Sequence, residues 1–161
     1  MAERYDGYGF GIKKVMEQQA VTPGIIGAVA DIIKVEAKYE TAIETALGGS
    51  IQNIVTDTQE TAKKMIGYLK KNRYGRVTFL PLDAVKGKEF TREEILSESG
   101  VIGAANQLAE YDEAYKDLFA SLLGQILVVE DMDAGIRIAN KYHHSICLLY
   151  TSPSPRDRSV S

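Results

Sequence analysis

The sequence repeats itself at an offset of 76 positions, and no other feature restricts the fold as much. That shift lays Ile26, Gly27 and Ala28 on Ile102, Gly103 and Ala104. It also lays Tyr39, Ala42, Ile43, Ala46, Leu47 and Gly48 on Tyr115, Leu118, Phe119, Leu122, Leu123 and Gly124. The stripe positions before each glycine keep their character, and their spacing is that of one buried helix face. With a two-residue deletion, Ile54, Val55 and Asp57 fall on Val128, Val129 and Asp131. Two divergent copies of one strand–helix–strand–helix unit account for the pattern.

The first copy is clearest at ETALGGSIQNIVTD, residues 44–57, and SLLGQILVVEDMD, residues 121–133, is its weaker partner. A helix ends, glycine turns the chain, an apolar strand follows, and a polar residue caps the next helix. Gly48 and Gly49 stand where a helix C-cap needs positive φ, which glycine reaches without a side-chain clash. The strand is expected over 51–56, with Asp57 or Thr58 accepting from the free N–H groups of a helix over 59–72. Ala62, Met65, Ile66 and Leu69 form that helix's apolar stripe. Earlier, the spacing predicts a helix over 12–19, a break at Pro23-Gly24, an extended segment over 25–35 and a helix over 37–47. Later come a short strand over 76–80 closed by Pro81, and a polar linker over 82–100 with a short helix near 91–98. A strand over 145–150 fits the place that RVTFL holds in the first copy. From Thr151 on, two Ser-Pro pairs and no apolar periodicity predict disorder. The run CLLYTSPSPRD also resembles translated sequencing-adapter read-through, so native sequence is expected to stop near His144 and residues 145–161 to be a non-native tail.

A chain of 161 residues with 45% apolar and 25% charged residues is an ordinary globular domain, or two small subdomains. No apolar run approaches the roughly 20 residues that span a bilayer, so no membrane partner is expected. The N-terminus, MAERYDGYGFGIKK, lacks the apolar core of a signal peptide. The lone Cys147 suits a reducing compartment, which points to the cytoplasm. Net charge is only −3, but residues 61–80 carry a local +6 without an acid, and residues 89–133 carry a local −9. These are either two solvated faces or surfaces for charged partners.

Catalytic chemistry is not legible. There is no G-x-x-x-x-G-K-[ST] loop, and Gly7, Gly9 and Gly11 lack the spacing of a dinucleotide fingerprint. His143 and His144 are adjacent and have no Cys or Asp at ligand spacing, so no metal, cofactor or catalytic residue is assigned. Gly48-Gly49 followed by small Ser50 leaves a surface without side-chain bulk, where another backbone could approach or add to a sheet edge.

Y-x-G-Y-x-x-G-I-K-x-V at the N-terminus, ALGG before an apolar strand and N-I-V, then E-T-A-K-K and G-R-x-T-F-L-P, resemble the hinge domain of bacterial SMC chromosome-partition proteins. The resemblance runs from about Tyr5 to His144. It implies an α/β fold (α+β mixed) with two pseudo-repeated subdomains, each a small sheet covered by helices. The chain then divides into a coiled-coil junction at 1–11, subdomain I at 12–81, the linker at 82–100 and an incomplete subdomain II at 101–144. The family's glycine-rich terminal segment, N-P-G-G-S-x-T-G-G, has no match after His144, so the hinge reads as C-terminally truncated.

The resemblance further implies homodimerisation, each subdomain meeting the other subdomain of its partner with strands pairing across the interface. ATP binding and hydrolysis belong to distant heads, contacts with other condensin subunits lie in the parent protein outside this fragment, and the domain itself is no enzyme. The expected interface residues are Gly48, Gly49, Ser50, Ile51, Gln52 and Asn53. DNA contact of weak to moderate strength is expected from Lys63, Lys64, Lys70, Lys71, Arg73 and Arg76, at a nucleoid-associated cytoplasmic location. Two rivals remain. One is a small α/β ligand-binding or enzyme domain with its site at the C-terminal strand ends; the other is a hinge-like relative that pairs with a different partner.

Overall fold

The repeat becomes two small sheets of the same topology in a computed structural model, which describes residues 9–143 and 147–150. In chain order, the first copy contributes α1 (Phe10–Glu17), β1 (Ile25–Ala28), β2 (Lys34–Val35), α2 (Glu40–Leu47), β3 (Ile54–Thr56), α3 (Gln59–Asn72) and β4 (Phe79–Pro81). The second contributes α4 (Glu93–Leu96), β5 (Val101–Ala104), β6 (Ala109–Glu110), α5 (Lys116–Leu123), β7 (Ile126–Val129), α6 (Met132–Lys141) and β8 (Cys147–Tyr150).

Contacts divide the chain into two compact units that do not follow the boundaries 12–81 and 101–144. One unit gathers the described residues up to Ile32 together with Gly49–Val85. Its sheet runs β1-β3-β4, with β1 antiparallel and β4 parallel to β3. Val15, Ile25, Ala28, Ile54, Met65 and Leu69 form its core, so α1 and α3 both bury their stripes there. Pro81 is tolerated in β4 because that strand lies at the sheet edge, where a missing N–H breaks no interior ladder.

The other unit gathers Ile33–Gly48 and the described residues from Lys86 on. Its sheet runs β5-β7-β8 with the same directions. Phe90, Ile95, Ala104, Leu127, Val129, Ala134 and Ile138 form its core. Ile95 of α4 occupies the role that Val15 of α1 has in the first unit. The unit also holds the ribbon in which Lys34 and Val35 of β2 face Glu110 and Ala109 of β6, and there α2 packs on α5.

The two sheets share a bulge. Ile25, Gly27 and Ala28 pair with Thr56, Val55 and Ile54, and Val101, Gly103 and Ala104 pair with Val129, Val128 and Leu127. Gly27 and Gly103 take φ of 148° and 154°, which glycine alone adopts cheaply. After each bulge a side chain returns to the backbone: Ala28 N–H donates to Asp31 Oδ2, and Ala104 N–H to Gln107 Oε1. This register corrects the repeat. Thr56 matches Val129, so the deletion before β3 is three residues rather than two and the offset there is 73; Phe79 then matches Leu148, an offset of 69, because α6 is four residues shorter than α3. The helix caps agree, since the side chains of Thr58 and Asp131 accept from Thr61 N–H and Ala134 N–H.

Several local expectations shift. The extended segment over 25–35 is broken by a 3₁₀ turn at Val29–Asp31. Residues Ile51 and Gln52 lie in a 3₁₀ turn, Gly48–Gln52, and only Ile54–Thr56 is strand. The helix over 37–47 begins as a 3₁₀ turn at Ala37–Tyr39. The stretch read as a linker is largely packed. Phe90 and Ile95 are buried, and the Gln125 side-chain amide donates to Lys88 O and Glu89 O. Tyr5, Tyr8, His144 and the tail from Thr151 lie outside the described residues.

Candidate functional site

Gly48 ends α2 with φ 55° and ψ −133°, the positive φ expected of it, while its N–H donates to Glu44 O. Gly49 needs no such φ. A Cβ added at either glycine would meet nothing within 4 Å, so both leave open surface. Gly124 differs: its φ is −65°, and a Cβ there would collide with Ala120 O and Lys88 O. Conformation selects glycine at 48, close backbone approach selects it at 124, and nothing among the described residues selects it at 49.

The rest of the turn is anchored. Ser50, Ile51, Gln52 and Asn53 are half-buried. Asn53 N–H donates to Ser50 O, and Asn53 O accepts from Val29 N–H. Gln52 Oε1 accepts from Gly9 N–H at 3.3 Å, tying the turn to the residue that precedes α1. The three-residue difference between the copies falls between α2 and β3, so this turn is the part of the first copy that the second lacks.

The six basic residues divide into two groups. Lys63, Lys64, Lys70 and Lys71 are exposed on α3, and none is in an ion pair among the described residues. Arg73 is the left-handed C-cap of that helix, with φ 56° and its N–H donating to Leu69 O and Lys70 O. Arg76 is exposed beyond it. Sequence reading passed over Lys14, whose Nζ stands 5.3 Å from the Phe10 ring centre and 5.1 Å from that of Tyr74. Phe10 stands four positions before Lys14, the spacing that brings two side chains together on one helix face. At the other end of α3, Asp57 is held below its usual carboxylate range, chiefly by the Thr61 hydroxyl that donates to it, so it serves the helix start as an anion.

Near the C-terminal end of β7 lies a cavity of about 230 Å³ lined by Val129, Met132, Gly135, Ile136, Ala139, Asn140, Leu148 and Leu149. Asn140 brings its single polar side chain. A catalytic or ligand-orienting site gathers several polar groups, and this lining does not favour the enzyme or small-ligand reading. Among the described residues no group of three His, Cys, Asp or Glu side chains is placed to hold a metal, and no helix is long and apolar enough to cross a membrane.

Two bulged three-stranded sheets of identical topology, each covered by helices, define a duplicated α/β module with an open glycine turn between α2 and β3. The sequence profile of the SMC proteins Flexible Hinge Domain matches residues 22–139, and the chain belongs to that family. It is 39% identical over 143 residues to the chromosome partition protein Smc of Bacillus subtilis, covering 87% of this chain and 12% of that protein. The fold matches an asymmetric dimer of the Geobacillus stearothermophilus SMC hinge domain with a TM-score of 0.84 at 42% identity, covering 91% of this chain and 61% of that one. A Pyrococcus furiosus Smc hinge domain with an extended coiled coil matches with a TM-score of 0.72 at 30% identity, covering 88% and 49%. The chain thus spans about an eighth of the length of its Bacillus relative.

Proposed function

We propose that this hinge joins two copies of a longer SMC protein acting in chromosome condensation and segregation, with Gly48, Gly49, Ser50, Ile51, Gln52 and Asn53 at the contact. The observation that carries the placement is Gly49: an exposed glycine required neither by its φ nor by any neighbour within 4 Å. A partner backbone approaching the turn supplies the missing reason, because any side chain there would hold it off. The strand β4 lies at the edge of its sheet, a place where a strand of a second copy could pair. The dimeric state of the Geobacillus hinge supports the same reading.

DNA contact is the secondary role, carried by Lys63, Lys64, Lys70, Lys71, Arg73 and Arg76, on a nucleoid-associated protein in the cytoplasm. Its support is the local +6 over residues 61–80. ATP hydrolysis and contacts with other condensin subunits belong to the parts of the longer protein outside this chain.

The test is sedimentation across a concentration series, using the chain continued into the C-terminal segment of its Bacillus relative. Self-association that Gly49→Glu abolishes without lowering the melting temperature is the expected result. A chain that stays monomeric, or a variant that associates as well as the parent, removes the proposal.

A further inference from the structure

Resting on the DNA-contact reading above, we propose that Gly67 is a seat for a nucleic-acid phosphate at the centre of the basic face of α3. Residues three and four apart on a helix are surface neighbours, with Cβ atoms about 5–6 Å apart. Lys63 and Lys64 stand four and three positions before Gly67, and Lys70 and Lys71 stand three and four after it. Four ammonium groups therefore surround one residue, and that residue has no side chain.

Nothing inside the fold explains the glycine. It lies in the interior of a 14-residue helix, where only proline is a poorer helix former. It is exposed, its φ is not positive, and a Cβ there would meet nothing within 4 Å. A buried neighbour or a turn would give the structure a reason for glycine, and neither is present at this position.

The missing side chain leaves a dip in the helix surface. A phosphodiester oxygen can settle against the backbone there while the lysines close around it, which long side chains on a convex helix do less well. Recognition of this kind reads the sugar–phosphate backbone and not the bases, so it is independent of sequence and sensitive to salt. The duplication supplies a comparison. At the offset of 73 that the sheet register and the helix caps fix, Gly67 matches Asn140, Lys63 matches Ile136 and Lys64 matches Arg137. The matching helix ends at Lys141, before the places of Lys70 and Lys71, so the second copy has a shorter helix and neither the dip nor the ring.

Binding of a fluorescent DNA duplex of arbitrary sequence tests the seat, measured by anisotropy at two salt concentrations. Gly67→Leu retains every charge and improves helix propensity. It is expected to weaken binding on the order of tenfold, as for one lost charge-assisted phosphate contact. The salt slope should fall by about one unit. Melting temperature should hold or rise, and Gly67→Ala should fall between parent and Leu in affinity. If Gly67→Leu binds as the parent does while Lys63→Ala, Lys64→Ala, Lys70→Ala and Lys71→Ala together weaken binding, the lysines act without a seat and the inference fails. If that fourfold variant also binds normally, the DNA-contact reading fails with it.

Discussion

At Gly87 an added Cβ would crowd Asp117 O at 2.6 Å and press on Ser121 N, both backbone atoms of α5, whereas at Gly49 it would meet nothing. The two glycines look alike in sequence and do opposite things. Gly87 lets the segment after Val85 lie against a helix, and a flexible neighbour cannot move aside because the atoms in the way belong to the main chain. Gly87→Ala should therefore cost about 1–3 kcal/mol, the usual range for overpacking. Gly49→Ala should stay within about 0.5 kcal/mol, as for an open surface site. Chemical denaturation of both variants checks the pair, and equal losses would contradict the packing described for Gly87.

Between elements, Glu98 is held by three partners. It follows α4, and its carboxylate accepts from Lys141 Nζ and from the Tyr142 hydroxyl at 2.7 Å, with Arg137 Nη1 at 3.6 Å. These partners come from α6 and the residue that caps it, so one carboxylate ties the α4 segment to that helix. The Lys141 ammonium, then the Tyr142 hydroxyl, hold Glu98 below its ordinary value of 4.5. A carboxyl whose folded pKa is lowered adds stability above its unfolded value and loses it as pH falls through the folded one. The melting temperature should accordingly drop on acidification below the ordinary glutamate range, and Glu98→Gln should flatten that part of the profile. An unchanged profile in the variant would show that other carboxylates govern the acid limb. Solvent and salt weaken such a cluster, so the effect should shrink at high ionic strength.

Across the whole molecule, the duplication is not partitioned copy by copy. The segment Ile33–Gly48 comes from the first copy and belongs to the unit built mainly from the second. Its apolar stripe explains why: Ile43 is 1% exposed, and α2 packs on α5, the helix that carries the matching stripe. Ile43→Ala should cost about 2–5 kcal/mol. In native-state hydrogen exchange, protection should fall first in α5 and β7, with α3 and β3 less affected. Early loss in α3 would place α2 with the other unit. The glycine turn begins where the chain leaves this unit, and the prediction that it carries self-association belongs to this scale as well.

What the sequence determined by itself was local. The extent of α3, a cap at Asp57 or Thr58, the positive φ at Gly48 and the duplication all follow from periodicity, capping chemistry and the steric freedom of glycine, which act over a few residues. The motifs also marked the hinge family, and the basic residues of α3 stood out by charge alone. What tertiary structure decided was non-local. Strand pairing set the three-residue offset, because register depends on which backbone groups meet across a sheet. Packing assigned α2 to the other unit and buried Phe90 and Ile95 in what reads as a polar linker. The differing reasons for glycine at 48, 49, 67, 87 and 124 needed coordinates too, since a glycine required by its neighbours and one facing open space are the same letter until the neighbours are in place.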